Sequence, residues 1–104
     1  MYVLTVNQTQ LAAAVNGAID KLNPHEVAHV AYRIGTDSTG QASIFFRITL
    51  QDWAVTEATI TLISSRVATK LFEEVRPIEN WGLHPYFNFR SVSEQANRPD
   101  PDWI

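Results

Sequence analysis

The segment HEVAH, residues 25–29, has the residue types and spacing of the zinc-peptidase motif H-E-x-x-H. On a helix, the two histidines would lie one turn apart on one face and could share a zinc ion. Glu26 would then act as a base toward the metal-bound water. One hypothesis is therefore a minimal zinc peptidase with His25 and His29 as metal ligands.

The same segment also fits a β-strand, and this interpretation opposes a metal site. In a strand, His25 and His29 lie about 13 Å apart, which is too far to share one metal ion. A zinc peptidase also needs a third ligand and a substrate cleft, for which a chain of 104 residues leaves little room. The sequence therefore favours a protein without a catalytic set, a metal ion or a cofactor, and the zinc peptidase stays an alternative.

A second cluster of candidate residues lies in HPYFNFRS, residues 84–91. Tyrosine and arginine are enriched among the residues that dominate binding energy in protein interfaces. If the segment is a strand, neighbouring side chains point to opposite faces, so Tyr86 and Phe87 cannot both enter the core. At least one aromatic side chain therefore faces outward or toward another chain, while at least one phenylalanine fills the core. The candidate partner-binding residues are Phe45, Tyr86, Phe87, Phe89 and Arg90.

Composition and charge restrict the classes of function. The chain has 45% hydrophobic residues, which is enough for a folded core, and it has no cysteine for disulfides, thiolate metal sites or cysteine catalysis. Eight lysine and arginine residues are scattered along the chain against 11 acidic residues, which gives a net charge of −3. Duplex-binding proteins usually carry a basic surface. Nucleic acid is therefore disfavoured as a partner, and weak binding of single strands by the aromatic residues is a further alternative.

The N-terminal residues predict neither a targeting segment nor a membrane segment. The start, MYVLTVNQTQ, lacks the basic region and the long apolar run of a secretory signal peptide. No stretch approaches the roughly 20 apolar residues that are needed to cross a bilayer. We therefore expect a cytoplasmic protein that does not enter a membrane.

The elements that must position these residues centre on an antiparallel β-hairpin of about residues 27–35 and 42–51. Apolar side chains alternate in both arms and fall at even-numbered positions, as in strands with one buried face. Directly opposed residues share a face, so their numbers must sum to an even number. A three-residue loop, residues 38–40, gives the sum 78 and places Gly40 where a left-handed residue is needed. The predicted core pairs are Ile34–Ile44, Tyr32–Phe46, Val30–Ile48 and Ala28–Leu50.

The opposite face of this hairpin carries a modest apolar patch. Its predicted members are Phe45, Val27, Ala31 and Thr49. Such patches often mark interfaces, and Arg33 is placed opposite Phe45, where a cation–π contact could form. Either a second copy of the chain or the C-terminal tail, with Trp103 lying on the patch, could cover it.

Two helices are predicted on either side of the hairpin in the chain. Residues 7–23 and 55–75 carry apolar residues at spacings of three and four, which is typical of amphipathic helices. Pro24 ends the first helix and Pro77 ends the second, because proline disfavours a helical conformation in the residue before it.

The predicted fold is α+β, with the long hairpin and up to two further strands packed against two helices. The candidates for the further strands are residues 2–6 and residues 86–90. If both form, the order is βαββαβ, as in ferredoxin-like folds. We expect one domain over residues 1–98 and an extended C-terminal tail at residues 99–104, where two prolines oppose a helix.

The function that the sequence favours is a small cytosolic, non-catalytic protein-interaction domain. Apolar side chains are left over after the core is filled, and no catalytic set is assembled. We expect the chain to self-associate as a homodimer or to join another protein in a small prokaryotic complex.

Overall fold

A computed structural model describes residues 6–104, which form a three-stranded sheet packed with helices. The helices are α1 (Gln8–Ile19), α2 (Ile60–Val75), α3 (Pro77–Trp81) and α4 (Val92–Asn97), and the strands are β1 (Val27–Thr36), β2 (Ala42–Leu50) and β3 (His84–Ser91). Short 3-10 turns lie at Asp52–Val55 and Pro101–Trp103. The predicted α+β class is confirmed.

The strands lie in the order β1–β2–β3. β1 is antiparallel to β2, whereas β3 runs parallel to β2 after the connection through α2 and α3. The sheet is therefore mixed and is larger than the hairpin alone. The predicted strand at residues 2–6 lies, apart from Val6, outside the described residues, so the βαββαβ order stays a prediction. Because β2 and β3 pair directly, a further strand could join only at the outer edge of β1 or of β3.

The hairpin turn forms as its sequence predicts. Gly40 has a φ of +83° and donates its N–H to the carbonyl oxygen of Asp37 at 3.0 Å. The N–H of Asp37 donates to the carbonyl oxygen of Gln41 at 2.9 Å, so these two residues form the last pair before a three-residue loop. Their numbers sum to 78, and the pairs Ile34–Ile44, Tyr32–Phe46 and Val30–Ile48 follow with the same sum.

The predicted pair Ala28–Leu50 is wrong. A β-bulge between Val27 and His29 places Val27 opposite Leu50, and the alternation of faces shifts by one residue beyond the bulge. Val27 is consequently buried and Ala28 exposed. Val27 therefore belongs to the core and not, as predicted, to the apolar patch around Phe45.

The core lies between one face of the sheet and the helices α1 and α2. The buried residues that these elements contribute to the core are Leu11, Val15 and Ala18 of α1, Ile63, Val67, Leu71 and Val75 of α2, and Ile44, Phe46, Ile48 and Leu50 of β2. The spacing of three and four in both helices produces these buried stripes, which pack against each other and share one buried cluster with the apolar side of β2. Full burial of these side chains is the main source of stability of the fold.

The C-terminal residues return to the sheet. The Pro101–Trp103 turn contacts β1 and β2, and α4 contacts β2 and β3. The sequence predicts an extended tail at residues 99–104, but residues 101–103 form one 3-10 turn because the carboxylate of Asp100 accepts the N–H of Asp102 at 3.0 Å. These segments lie on the side of the sheet opposite the core helices.

Candidate interaction surface

The side of the sheet that faces away from α1 and α2, hereafter the outer face, is formed by alternate residues of all three strands. Its members are His29, Ala31, Arg33 and Gly35 of β1, Ser43, Phe45, Arg47 and Thr49 of β2, and His84, Tyr86, Asn88 and Arg90 of β3. Three of these twelve residues are arginines and two are histidines, and none is acidic. The strands thus contribute only cationic side chains to this face, whereas the carboxylate of Asp37 lies beside it at Tyr86 and Asp102 lies beside it near β1.

An aromatic cluster, consisting of Arg33, Phe45, His84 and Tyr86, occupies the end of the outer face near the hairpin turn. The rings of Phe45 and Tyr86 stack with centroids 5.4 Å apart and planes 12° apart. The guanidinium of Arg33 lies 5.2 Å from the Phe45 ring centre, which is a cation–π contact, and His84 meets Tyr86 edge-on at 5.2 Å. Tyr86 remains 37% exposed, so the cluster presents an aromatic surface to solvent.

The hydroxyl of Tyr86 fixes the orientation of this cluster by donating a hydrogen bond of 2.8 Å to Oδ2 of Asp37. The same carboxylate accepts three further hydrogen bonds, from the hydroxyl and N–H of Thr39 and from the N–H of Gln41. Together these bonds hold the pKa of Asp37 well below its ordinary value, with the Thr39 hydroxyl as the largest cause. The hydrogen bond to Asp37 in turn raises the pKa of the Tyr86 phenol.

Arg90 lies at the other end of the outer face and binds the C-terminal segment. Its guanidinium lies 5.3 Å from the Trp103 ring centre and donates to Oε1 of Gln95 at 2.7 Å. It also donates to the carbonyl oxygen of Glu94 at 3.3 Å. The predicted partner-binding residue Arg90 is therefore engaged within the chain and lies apart from the aromatic cluster.

Phe87 and Phe89, the other two predicted partner-binding residues, point to the core side of the sheet. Both are half-buried and pack against the core, and the Phe87 ring stacks on Phe46 with centroids 5.3 Å apart. Of the five predicted residues, the structure thus brings together only Phe45 and Tyr86 on the outer face.

Arg47 lies at the centre of the outer face, opposite Ala31 of β1 and Asn88 of β3. Its Nη1 atom is buried and has no hydrogen-bond partner among residues 6–104. A buried donor without a partner costs free energy, and a bound acceptor would recover it. Because Nη1 is buried, it does not lie on the surface that a partner would contact.

The HEVAH segment does not form the helix that a zinc peptidase requires. His25 lies in a turn and His29 in β1, as the strand interpretation predicts, so the two histidines lack the one-turn spacing of the zinc-peptidase alternative. Glu26 is buried and forms an ion pair with Arg66 of α2. Within residues 6–104, no group of three or more histidine and carboxylate side chains could hold a metal ion.

A wide groove of about 690 Å³ lies between α2 and the segment that follows α1. Its lysines and arginine are each paired with a carboxylate: Lys21 and Lys70 with Glu74, and Arg66 with Glu26. The hydrogen bond from Lys21 is the largest cause of the lowered pKa of Glu74. Since its cations are neutralised within the chain, this groove is less suited to an anionic ligand than the outer face.

No helix in the described part of the chain is long and apolar enough to cross a membrane. Comparisons of the chain with models of protein families, with curated proteins and with solved structures found no match.

The predicted cation–π contact between Arg33 and Phe45 is present. The sequence could predict it because the turn and the strand register that create it are local features. Asp37 and His84 were not predicted from the sequence as residues of the aromatic cluster and its surroundings. The turn explains Asp37 fully by itself, and its role toward Tyr86 depends on the pairing of β2 with β3. No signal in the sequence specifies that pairing.

Proposed function

We propose that this chain is a non-catalytic protein-interaction domain that binds an acidic segment of another protein through the aromatic cluster. The observation that carries the proposal is the position of the stacked Phe45–Tyr86 pair beside the exposed Arg33, on strands that carry no acidic residue on this face. Rigid aromatic side chains beside arginine are the usual anchors of protein interfaces.

The hydrogen bonds around the cluster favour binding without a large loss of conformational entropy. Tyr86 is held by Asp37, and Phe45 lies between Tyr86 and the guanidinium of Arg33. A surface whose side chains are already ordered loses little rotamer freedom when a partner binds. The cluster is thus a pre-organised site of limited area, which suits a peptide segment.

Charge complementarity selects the kind of partner. Arg33 is the exposed arginine of the aromatic cluster, whereas Arg90 is engaged by the C-terminal segment, so a partner with aspartate or glutamate side chains would approach the cluster favourably at Arg33. Two outer faces brought together would oppose like charges. Symmetric self-association through the aromatic cluster is therefore disfavoured, and a different protein is the better partner.

A peptide library displayed on phage and selected on the immobilised protein tests the proposal. We expect the selected peptides to be enriched in aspartate or glutamate next to apolar residues, and amide chemical shifts of residues in the aromatic cluster to change on binding. Phe45→Ala and Arg33→Glu should each reduce the affinity at least tenfold. Leu62→Ala, on the distant exposed side of α2, is the matched control and should have no effect.

The proposal fails if selection yields no shared acidic pattern, or if the chemical shifts that change lie outside the outer face. It also fails if Leu62→Ala reduces binding as much as Phe45→Ala does.

Single-stranded nucleic acid is a second candidate ligand, which the same cationic and aromatic surface favours. Bases stack on aromatic rings, and arginines contact phosphates. However, the two ring faces of Phe45 are already covered by Arg33 and Tyr86, which leaves little ring surface for a base. Fluorescence anisotropy with a labelled oligonucleotide, measured at several salt concentrations, tests this candidate; binding that is lost in Phe45→Ala and falls steeply with salt would favour it over a peptide.

A further inference from the structure

The outer edge of β1 is unpaired within residues 6–104, because β1 is the first strand of the sheet and pairs only with β2. The N–H of Asp37 donates to Gln41, so the backbone of Asp37 points toward the second arm of the hairpin. Alternation along the strand then directs the N–H and C=O groups of the even-numbered residues away from β2. Val30, Tyr32, Ile34 and Thr36 thus present a row of donors and acceptors at the edge.

This edge lacks most of the features that protect edge strands from pairing. Natural proteins place lysine or proline on edges, shorten them, or interrupt them with bulges. Over residues 29–36, β1 contains neither lysine nor proline, and its bulge lies at the opposite end, near Val27. By contrast, the other edge strand, β3, contains Pro85 and leads directly into α4.

The core side of the edge is incompletely covered. Tyr32 and Ile34 are only half-buried, whereas their opposed residues Phe46 and Ile44 are fully buried. On the opposite side of the sheet, where the C-terminal residues pack, a groove of about 500 Å³ lies between residues 29–33 and Pro101, Asp102 and Ile104. An additional strand at the edge would pair with the free backbone groups and cover the two half-buried side chains.

We propose that the occupant of this edge is β1 of a second copy of the chain, paired antiparallel across a two-fold axis at Tyr32. The core sides of the two copies match only if the residue numbers of directly opposed residues sum to an even number. With a sum of 64, residues 28–36 of one copy pair with residues 36–28 of the other. Val30 then lies opposite Ile34 of the other copy. The dimer contains one continuous six-stranded sheet.

The positions of the cationic side chains favour this register over the two neighbouring registers. A sum of 66 would place Arg33 opposite Arg33 of the other copy, and a sum of 62 would place Arg33 opposite His29 of the other copy. With the sum of 64, Arg33 lies opposite Ala31, and His29 lies opposite Gly35, so no two cationic side chains are directly opposed. Like charges in directly opposed positions destabilise strand pairing.

This dimer does not depend on the proposed binding of an acidic partner. In this dimer both outer faces lie on the same side of the sheet, and the two aromatic clusters remain open to their acidic partners. The second copy binds through backbone hydrogen bonds and core-side apolar contacts, whereas the proposed partner binds through Phe45 and Tyr86. Loss of one interaction therefore leaves the other measurable.

Sedimentation velocity and electron paramagnetic resonance test the dimer on the full chain. We expect a concentration-dependent shift from monomer to dimer. Since the chain has no cysteine, His29→Cys and Thr36→Cys each introduce a unique site for a nitroxide label. The two-fold axis at Tyr32 places the two copies of residue 29 about 20 Å apart and those of residue 36 about 27 Å apart, from a rise of about 3.3 Å per residue.

Substitutions at position 31 test the register. Ala31→Lys places a lysine opposite Arg33 of the other copy at two symmetric positions and should raise the dimer dissociation constant at least tenfold. Ala31→Glu should lower it, because glutamate would face the same arginine. Residue 31 also lies opposite Arg47 in its own chain, so the unfolding of each variant is measured to confirm that the monomer is folded.

A chain that remains monomeric at submillimolar concentration overturns the proposal, whether solvent or the chain's own N-terminal residues cover the edge. A dimer with label distances well beyond those expected, or one that responds equally to Ala31→Lys and Ala31→Glu, overturns it as well. Phe45→Ala should leave the dimer intact, and a loss of the dimer in this variant would assign self-association to the aromatic cluster instead.

Discussion

The hydroxyl of Tyr86 donates a hydrogen bond of 2.8 Å to Oδ2 of Asp37, a residue 49 positions earlier in the chain. This bond joins the N-terminal part of β3 to the hairpin turn between β1 and β2. The carboxylate that organises the turn therefore also positions the exposed aromatic ring of the proposed interaction surface. Substitutions at either residue should affect both the fold and the surface.

Asp37→Asn should reduce stability at neutral pH but not in strong acid. Hydrogen bonds lower the pKa of Asp37 below its ordinary value of 3.8, so the ionised carboxylate adds stability above that pH. This contribution is lost as the pH falls through the lower pKa of the folded state. Urea unfolding of the two proteins between pH 7 and pH 2 checks this, and a difference in stability that does not shrink in acid would contradict the account.

The ionisation of Tyr86 should also report on its hydrogen bond to Asp37. Because Asp37 raises the pKa of the phenol above its ordinary value of 10.0, the hydrogen bond adds stability below pH 10 and is lost as the pH rises through the higher folded value. Ultraviolet titration, with Tyr86→Phe used to assign the signal, should find a lower pKa for Tyr86 in Asp37→Asn. An unchanged titration curve would mean that the bond does not form in solution.

Phe45 and Phe46 are adjacent in the chain but should differ strongly in their contribution to stability. Phe46 is fully buried and stacks on Phe87, so Phe46→Ala should cost about 3–5 kcal/mol. Phe45 lies half-buried on the outer face, and Phe45→Ala should cost about 1 kcal/mol while it reduces partner binding. Chemical denaturation measures both, and equal losses would contradict the assignment of faces.

Alanine should have opposite effects at two glycines. Gly40 has a φ of +83°, so Gly40→Ala should cost about 1–2 kcal/mol, because a side chain is unfavourable in the left-handed region. Gly17 lies in α1 with no atom close to an added Cβ, and Gly17→Ala should stabilise the protein by about 0.5–1 kcal/mol. Thermal unfolding provides the comparison; a neutral Gly40→Ala would argue against the turn.

Arg66→Ala should leave the buried carboxylate of Glu26 without its partner. The side chain of Glu26 is 11% exposed and that of Arg66 is 57% exposed, so solvent screens part of the interaction, and we expect a loss of about 1 kcal/mol. Glu26→Gln removes the charge and serves as the matched control. In the Glu26→Gln background, Arg66→Ala should cost much less, and an equal cost in both backgrounds would show that the ion pair does not contribute.

The sequence by itself determined the hairpin, its register and the buried stripes of α1 and α2. These features depend on short-range rules: the two-residue alternation of a strand, the helical spacing of apolar residues, and the need for glycine at a left-handed position. The contact between Arg33 and Phe45 followed from the same register. A single bulge was enough to make the Ala28–Leu50 pair wrong, because alternation carries no information about an inserted residue.

Only the tertiary structure decided what the aromatic segment contributes. Alternation in β3 requires that Tyr86 and Phe87 face opposite sides, but it does not say which side is buried. The parallel pairing of β2 with β3 places Phe87 and Phe89 toward the core, Tyr86 beside Phe45 and Asp37, and Arg90 beside Trp103. That pairing depends on how the chain returns through α2 and α3, and contacts between residues so distant in the chain leave no periodic pattern in the sequence.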